Sequence, residues 1–232
     1  MKKVLIVEDD PQISELLRIS LGEIFFEGNI FNDGLKAFRE LEKNEYDLIL
    51  LDLMIPTMDG VELCRAIRAK NILTPVIMIT AKTEEIDKVL GLETGADDYI
   101  TKPFSVRELQ ARIKSLMRRV NAPNALGSTE KKQLSFDGLK IDLEKRVVYK
   151  DDQEVILTNK EFDLLQVLAS KPGKSFNRQS LLQLVWGYEF EGLEHTVNSH
   201  INRIRSKIED DMGKPTYIQT SWGYGYRFNE NI

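Results

Sequence analysis

The sequence is poor in the residues that usually carry redox, thiolate or imidazole chemistry. Its 232 residues include one cysteine, Cys64, and two histidines, His195 and His200. A single cysteine excludes an internal disulfide. The surrounding "VELCRAIR" has helical spacing and no histidine near it in sequence, so Cys64 reads as a packed or partly exposed helical thiol and not as a nucleophile. The two histidines, five residues apart, do not share a helix face well, which argues against a zinc site. Long apolar runs are also missing: none approaches the roughly 20 residues of a membrane helix. The N-terminal "MKKVLIVEDD" holds an apolar run of four residues, Val4 to Val7, before Glu8. A secretory leader needs about 7–15. The expectation is a cytoplasmic protein without a membrane segment. Net positive charge is lacking too. The chain carries −5, and from residue 130 onward 15 Lys/Arg stand against 16 Asp/Glu, so any face for nucleic acid must be local.

What is present is ordered alternation. Short apolar runs at 3–7, 47–53, 75–79 and 99–101, with a weaker one near 29–31, suit strands buried on both faces. Amphipathic segments at 11–26, 34–43, 60–69, 83–94 and 105–120 lie between them. This predicts an α/β domain over 1–120, a doubly wound five-stranded parallel sheet with helices on both sides. Residues 121–132, "NAPNALGSTEKK", read as a linker. From 133 to 232 the order changes. The pieces "QLSFDGLKID", "RVVYKDD" and "EVIL" suit short strands. A helix opens at Thr158 with Glu161 in a capping-box pattern, two more follow in "RQSLLQLVWG" and "EHTVNSHINRIRSKIED", and "YIQTSWGYGYRF" closes the chain as a hairpin. That sequence of elements predicts an α+β winged helix-turn-helix domain.

In an open parallel sheet, ligands bind beyond the carboxyl ends of the strands. The first strand ends at Glu8, Asp9 and Asp10, the third at Asp52, the fourth at Thr80, and the fifth at Lys102. Asp52 sits inside "YDLILLDLMIP", where a carboxylate is costly unless it is paired. Clustered carboxylates do not all ionise without a cation, and an oxygen-only set suits Mg²⁺. A carboxylate beside a hard cation, a hydroxyl and a lysine is equipped to accept a phosphoryl group. An enzyme alternative is a Mg²⁺-dependent phosphatase with an Asp nucleophile. The haloacid-dehalogenase-like members of that class place a second acid two residues further on, where this chain has Met54.

The segments "KVLIVEDD", "LILLDLMIPTMDG", "VIMIT" and "ADDYITKPFS" resemble the receiver domain of bacterial response regulators, a flavodoxin-like fold whose strand order is an example of the doubly wound type. With the C-terminal domain, the chain resembles the OmpR/PhoB class over all but the linker. The resemblance implies Asp52 as phospho-acceptor, Mg²⁺ held by Asp9, Asp52 and the Met54 carbonyl with Glu8 acting through water, and Thr80 and Lys102 touching the phosphoryl group. It implies a cis Lys102–Pro103 bond and a switch role for Tyr99, which could equally be a packed strand aromatic. It implies a sensor histidine kinase as donor and a phosphorylation-favoured homodimer through the receiver, using Lys88, Asp97, Asp98, Glu108, Arg112 and Arg119. RNA polymerase would be touched near 187–193.

The last long helix, 194–209, carries a core stripe of Val197, Ile201, Ile204 and Ile208. His195, Thr196, Asn198, His200, Asn202, Arg203, Arg205 and Lys207 are the candidates for promoter DNA on that helix, because Arg reads guanine, Asn reads adenine and either binds phosphate. The wing departs from the family: "TSWGYGYRF" has Trp222 where relatives often carry an arginine. Asn202 stands where some carry a further one. Both differences remove positive charge, and predict modest monomer affinity with reliance on dimerisation. A binding module that does not meet DNA is the alternative output.

Overall fold

The computed structural model describes residues 1–81, 95–121, 133–187 and 195–232, with the side chains of 118–121 left aside. The helix expected at 83–94 with Lys88, the side chain of Arg119, most of the expected linker, and residues 188–193 lie outside the described residues. The chain divides into two compact units, Met1–Arg118 and Arg119–Ile232.

In the first unit the strands are β1 (Lys2–Val7), β2 (Phe26–Phe31), β3 (Leu48–Asp52), β4 (Val76–Ala81) and β5 (Asp98–Lys102). They form one parallel sheet in the order β2-β1-β3-β4-β5. The helices are α1 (Pro11–Gly22), α2 (Gly34–Leu41), α3 (Gly60–Ala69) and α4 (Val106–Asn121). Alternate strand residues Val4, Ile6, Leu48, Leu50, Ile77 and Ile79 join Leu17 and Leu21 of α1 and Leu109, Ile113 and Leu116 of α4 in one core. The other alternates, Leu5, Val7, Ile49 and Leu51, are fully buried as well, which is why these strands read as unbroken apolar runs.

Two boundaries differ from the sequence expectation. Helix α1 ends at Gly22, not near 26, and Phe25 takes a left-handed φ of 63° that turns the chain into β2. Strand β2 spans six residues and not the short run near 29–31. Its "FEGNIF" lacks an apolar run because it lies at the sheet edge, paired among the described strands with β1 alone.

The second unit opens with a four-stranded antiparallel sheet of β6 (Gln133–Phe136), β7 (Leu139–Asp142), β8 (Val147–Lys150) and β9 (Gln153–Val155). Helix α5 (Asn159–Ala169) starts with both halves of the Thr158/Glu161 capping box in place. Helix α6 (Arg178–Trp186), helix α7 (His195–Ile208) and the hairpin of β11 (Ile218–Ser221) and β12 (Gly225–Phe228) follow. The three-residue strand β10 (Ser175–Asn177) pairs with β12 and makes the wing a three-stranded sheet. No period can be read from three residues, so this strand was not foreseen.

Candidate functional site

Strand register builds the acidic rim. Val7 pairs with Leu51, so Glu8 and Asp52 lie level at adjacent strand ends; Asp52 pairs with Ile79, and Ala81 with Lys102. Glu8 and Asp52 are buried, whereas Asp9 is exposed. Their carboxylate oxygens and one of Asp9 lie within 4.8 Å of one another. Lys102 Nζ donates to Glu8 Oε2 at 2.8 Å and to Asp52 Oδ2 in a short contact. Burial pushes the Glu8 carboxyl up to about 7; the Lys102 hydrogen bond works against this and the charge of Asp52 adds to it. Burial works to lower Lys102, but its bonds to Asp52 and Glu8 outweigh it and hold the ammonium above its ordinary value.

The rim is fixed from behind. Gly60, at the start of α3, packs so closely that a Cβ there would come within 2.3 Å of the Asp52 carbonyl. The Met54 N–H donates to Asp52 Oδ1 at 2.9 Å, which leaves Oδ2 facing Lys102. Asp10 caps α1, accepting from the N–H groups of Gln12 and Ile13, and so is occupied locally. Thr80 is buried and its hydroxyl donates to the Ala81 carbonyl at 3.1 Å. The Lys102–Pro103 bond is cis. Three carboxylates converging on one point, two of them out of water, form the hard oxygen donor set that a divalent cation such as Mg²⁺ takes. Among the described residues the one cation paired with these three carboxylates is Lys102, so a further positive charge fits the site.

The expected dimer face is only partly an outer face. Asp97 is 1% exposed; its Oδ2 accepts from Arg68 Nη2 and from the Val76 N–H, each at 3.0 Å. It is an internal anchor, and the expectation of a contact residue is corrected. Asp98, Glu108 and Arg112 do meet at the surface, with Arg112 bridging Asp98 at 3.3 Å and Glu108 at 3.0 Å. Tyr99 is buried on β5 opposite Met78.

In the second unit α7 presents a narrower polar face than its sequence suggests. Thr196, His200 and Arg205 are buried, and none stands on an outer face for DNA. The His200 ring packs edge-on against Trp186 with its Nδ1 at 2.9 Å from the Thr196 carbonyl. Arg205 donates to the Ile218 carbonyl and to Thr220 Oγ1, tying α7 to β11, and burial lowers its pKa. The buried set recurs as pairs, 196/197, 200/201 and 204/205, so the core stripe is two residues wide. His195, Asn202 and Lys207 are exposed and Asn198 and Arg203 half-buried. Sequence reasoning missed three partners. Arg178 and Tyr226 both donate to Asn198 Oδ1, at 2.9 and 2.8 Å, joining α6, α7 and the wing. Glu161, noted only as a helix start, holds Arg203 and Lys207. Trp222 is 92% exposed at the wing turn beside Gly223, whose φ of 71° makes the turn. Among the described residues no helix is long and apolar enough to cross a membrane.

Comparison with known proteins places both units. The response regulator receiver domain matches residues 4–114 and the transcriptional regulatory protein C terminal matches residues 152–228. The chain is 41% identical to the alkaline phosphatase synthesis transcriptional regulatory protein PhoP of Bacillus subtilis (strain 168), over 99% of this chain and 97% of that protein. It is 43% identical to the transcriptional regulatory protein SrrA of Staphylococcus aureus (strain NCTC 8325 / PS 47), over 97% and 95% respectively. Among solved structures it is similar to the response regulator DrrB, a Thermotoga maritima OmpR/PhoB homolog, at 34% identity over 99% of each chain with a TM-score of 0.51. It is also similar to a RitR mutant at 27% identity over 99% and 100% with a TM-score of 0.74.

Proposed function

The chain belongs to the OmpR/PhoB-type response regulators, which are phosphorylation-dependent transcriptional regulators, and from that premise we propose that Asp52 is its phospho-acceptor. The observation that carries this is the near-buried Asp52 carboxylate, level with Glu8 and in contact with the Lys102 ammonium at the carboxyl rim of the sheet. The donor is the phosphohistidine of a sensor histidine kinase. An Asp52 oxygen forms the new P–O bond while the P–N bond breaks; its electron pair stays on the imidazole, which takes up a proton. Lys102 offsets charge on the phosphoryl oxygens and Thr80 offers a hydroxyl. Glu8, Asp9, Asp52 and the Met54 carbonyl would hold Mg²⁺, which supplies charge neutralisation at the phosphoryl oxygens.

The added charge of about −1.5 to −2 at the rim biases Tyr99 and the outer face of Asp98, Glu108 and Arg112, together with Lys88 and Arg119, toward a receiver homodimer. Promoter DNA then meets His195, Asn198, Asn202, Arg203 and Lys207 of α7 and Trp222 of the wing, with RNA polymerase as a further partner. The protein works in the cytoplasm and turns over no substrate beyond its own phosphoryl group.

Incubation with acetyl phosphate and Mg²⁺, followed by intact mass and footprinting on its own promoter, tests the proposal. The expected result is one phosphoryl group on the peptide containing Asp52, lost in Asp52→Asn, and protection that strengthens on phosphorylation. A phosphoryl group retained in Asp52→Asn would place the acceptor elsewhere.

A further inference from the structure

The definite cations of α7 are all engaged by the domain that carries them. Arg205 is buried against β11. Arg203 Nε donates to Glu161 Oε1 at 3.1 Å, and Lys207 Nζ to Glu161 Oε2 at 2.7 Å. Glu161 is 0% exposed, and its Oε2 also accepts the Thr158 N–H at 2.9 Å. Helix capping accounts for one of those oxygens and does not require the charge, since a glutamine caps in the same way. A carboxylate wholly out of water is costly as an anion unless cations and donors surround it. Here Arg203 and Lys207 do so, and they are two of the groups on the helix face turned outward.

The relation also acts in reverse. A DNA phosphate approaching Arg203 or Lys207 meets two cations that share one carboxylate, so half of their charge is already compensated and their positions are already set. DNA of any sequence offers phosphates, and sequence-independent affinity rises with the number of phosphates neutralised. Base edges differ, and His195 and Asn202, exposed on the same helix, offer hydrogen bonds to them. Resting on the reading that this face of α7 meets DNA, we propose that Glu161 is a specificity-determining positioning residue. It fixes Arg203 and Lys207 on the helix and damps their attraction for phosphate, so that binding to arbitrary sequence stays weak.

The test measures affinity of the full chain for a random-sequence duplex and for its own promoter across a salt series, for wild type, Glu161→Gln and the double variant Arg203→Gln/Lys207→Gln. In Glu161→Gln the plot of log affinity against log salt for random DNA is expected to steepen by about 0.9, for the one cationic charge that Glu161 no longer offsets, with severalfold tighter random binding at low salt and a smaller promoter preference. The double variant Arg203→Gln/Lys207→Gln is expected to flatten the slope by about 0.9, one net charge being all that the pair keeps beside Glu161. A folded Glu161→Gln with an unchanged slope overturns the inference. So does a double cation variant that flattens the slope by about 1.8, as two uncompensated cations would, and this decides the matter alone if Glu161→Gln does not fold. If promoter binding stands while the slopes disagree, only the role of Glu161 falls. If wild type binds neither duplex, the DNA reading of α7 falls with it.

Discussion

Asp97 and Asp98 show how far a residue type leaves its role open. Both precede or begin β5, and alternation along a strand sends neighbours to opposite sides. Asp98 meets Arg112 near the surface, while Asp97 turns inward to Arg68. Arg68 is itself a hub, donating also to the carbonyls of Gly95, Ile72 and Thr74. No spacing rule connects residues 68 and 97, so this pair was not legible in the sequence. Asp52 was, because a lone acid in an apolar strand is conspicuous wherever it stands. The consequence is a separation of phenotypes. Asp97→Ala leaves the Arg68 guanidinium uncompensated at a side-chain exposure of 11% and is expected to lower stability by about 3–5 kcal/mol. Glu108→Ala, which removes the exposed end of a surface pair, is expected to cost less than about 1 kcal/mol. Urea denaturation of the two variants checks this; equal midpoints would return Asp97 to the surface.

At the scale of the element, α7 was found in the sequence by its apolar residues and misjudged by its polar ones. Val197, Ile201, Ile204 and Ile208 gave the helix and its direction, since a 3.6-residue period is read from hydrophobicity alone. Thr196, His200 and Arg205 lie one step to the side of that stripe and are buried; α6 closes over His200 and β11 over Arg205. Their partners, Trp186 and the Ile218 carbonyl, are distant in sequence or belong to the backbone, so composition carries no trace of the contact. Mutations on the two sides of the helix are therefore expected to differ in kind. His200→Ala opens a cavity beside Trp186 and is expected to cost about 2–4 kcal/mol, as large-to-small core changes do. Asn202→Ala, on the exposed face, is expected to leave stability within about 0.5 kcal/mol. If Asn202 reads a base, the same change weakens promoter binding by about 1–3 kcal/mol. Urea melts and fluorescence anisotropy of the phosphorylated protein on promoter DNA separate the two effects. A His200→Ala protein of unchanged stability would contradict the burial argument.

Across the whole molecule, aromatic residues are divided in a way that makes one spectroscopic signal specific to one unit. The chain has two tryptophans, Trp186 and Trp222, and both belong to the unit from Arg119 to Ile232. The alternation that identified the first unit needs no tryptophan, and its sheet is closed by Val, Leu and Ile. The net charge of −5 said little about output, because the cations of α7 are held inside the domain, Arg203 and Lys207 by the one carboxylate of Glu161 and Arg205 by a carbonyl and a hydroxyl, a fact that only three-dimensional pairing reveals. Trp222 is the counterpart: the sequence marked it as a departure, and the structure leaves it 92% exposed while Trp186 is 6% exposed. An aromatic ring held out at a wing turn can lie against sugars or wedge at a base step without adding charge. Iodide should therefore quench one of the two tryptophans in the free protein and leave the other dark to it. In Trp222→Phe the quenchable fraction should vanish. Addition of promoter DNA should protect that fraction in the wild type, and Trp222→Ala should lose affinity by a factor that hardly changes with salt, since no ion pair is removed. A Trp222 that stays fully quenchable on saturated DNA, or a Trp222→Ala protein that binds as wild type does, would exclude the ring from the interface and leave α7 to hold the DNA without it.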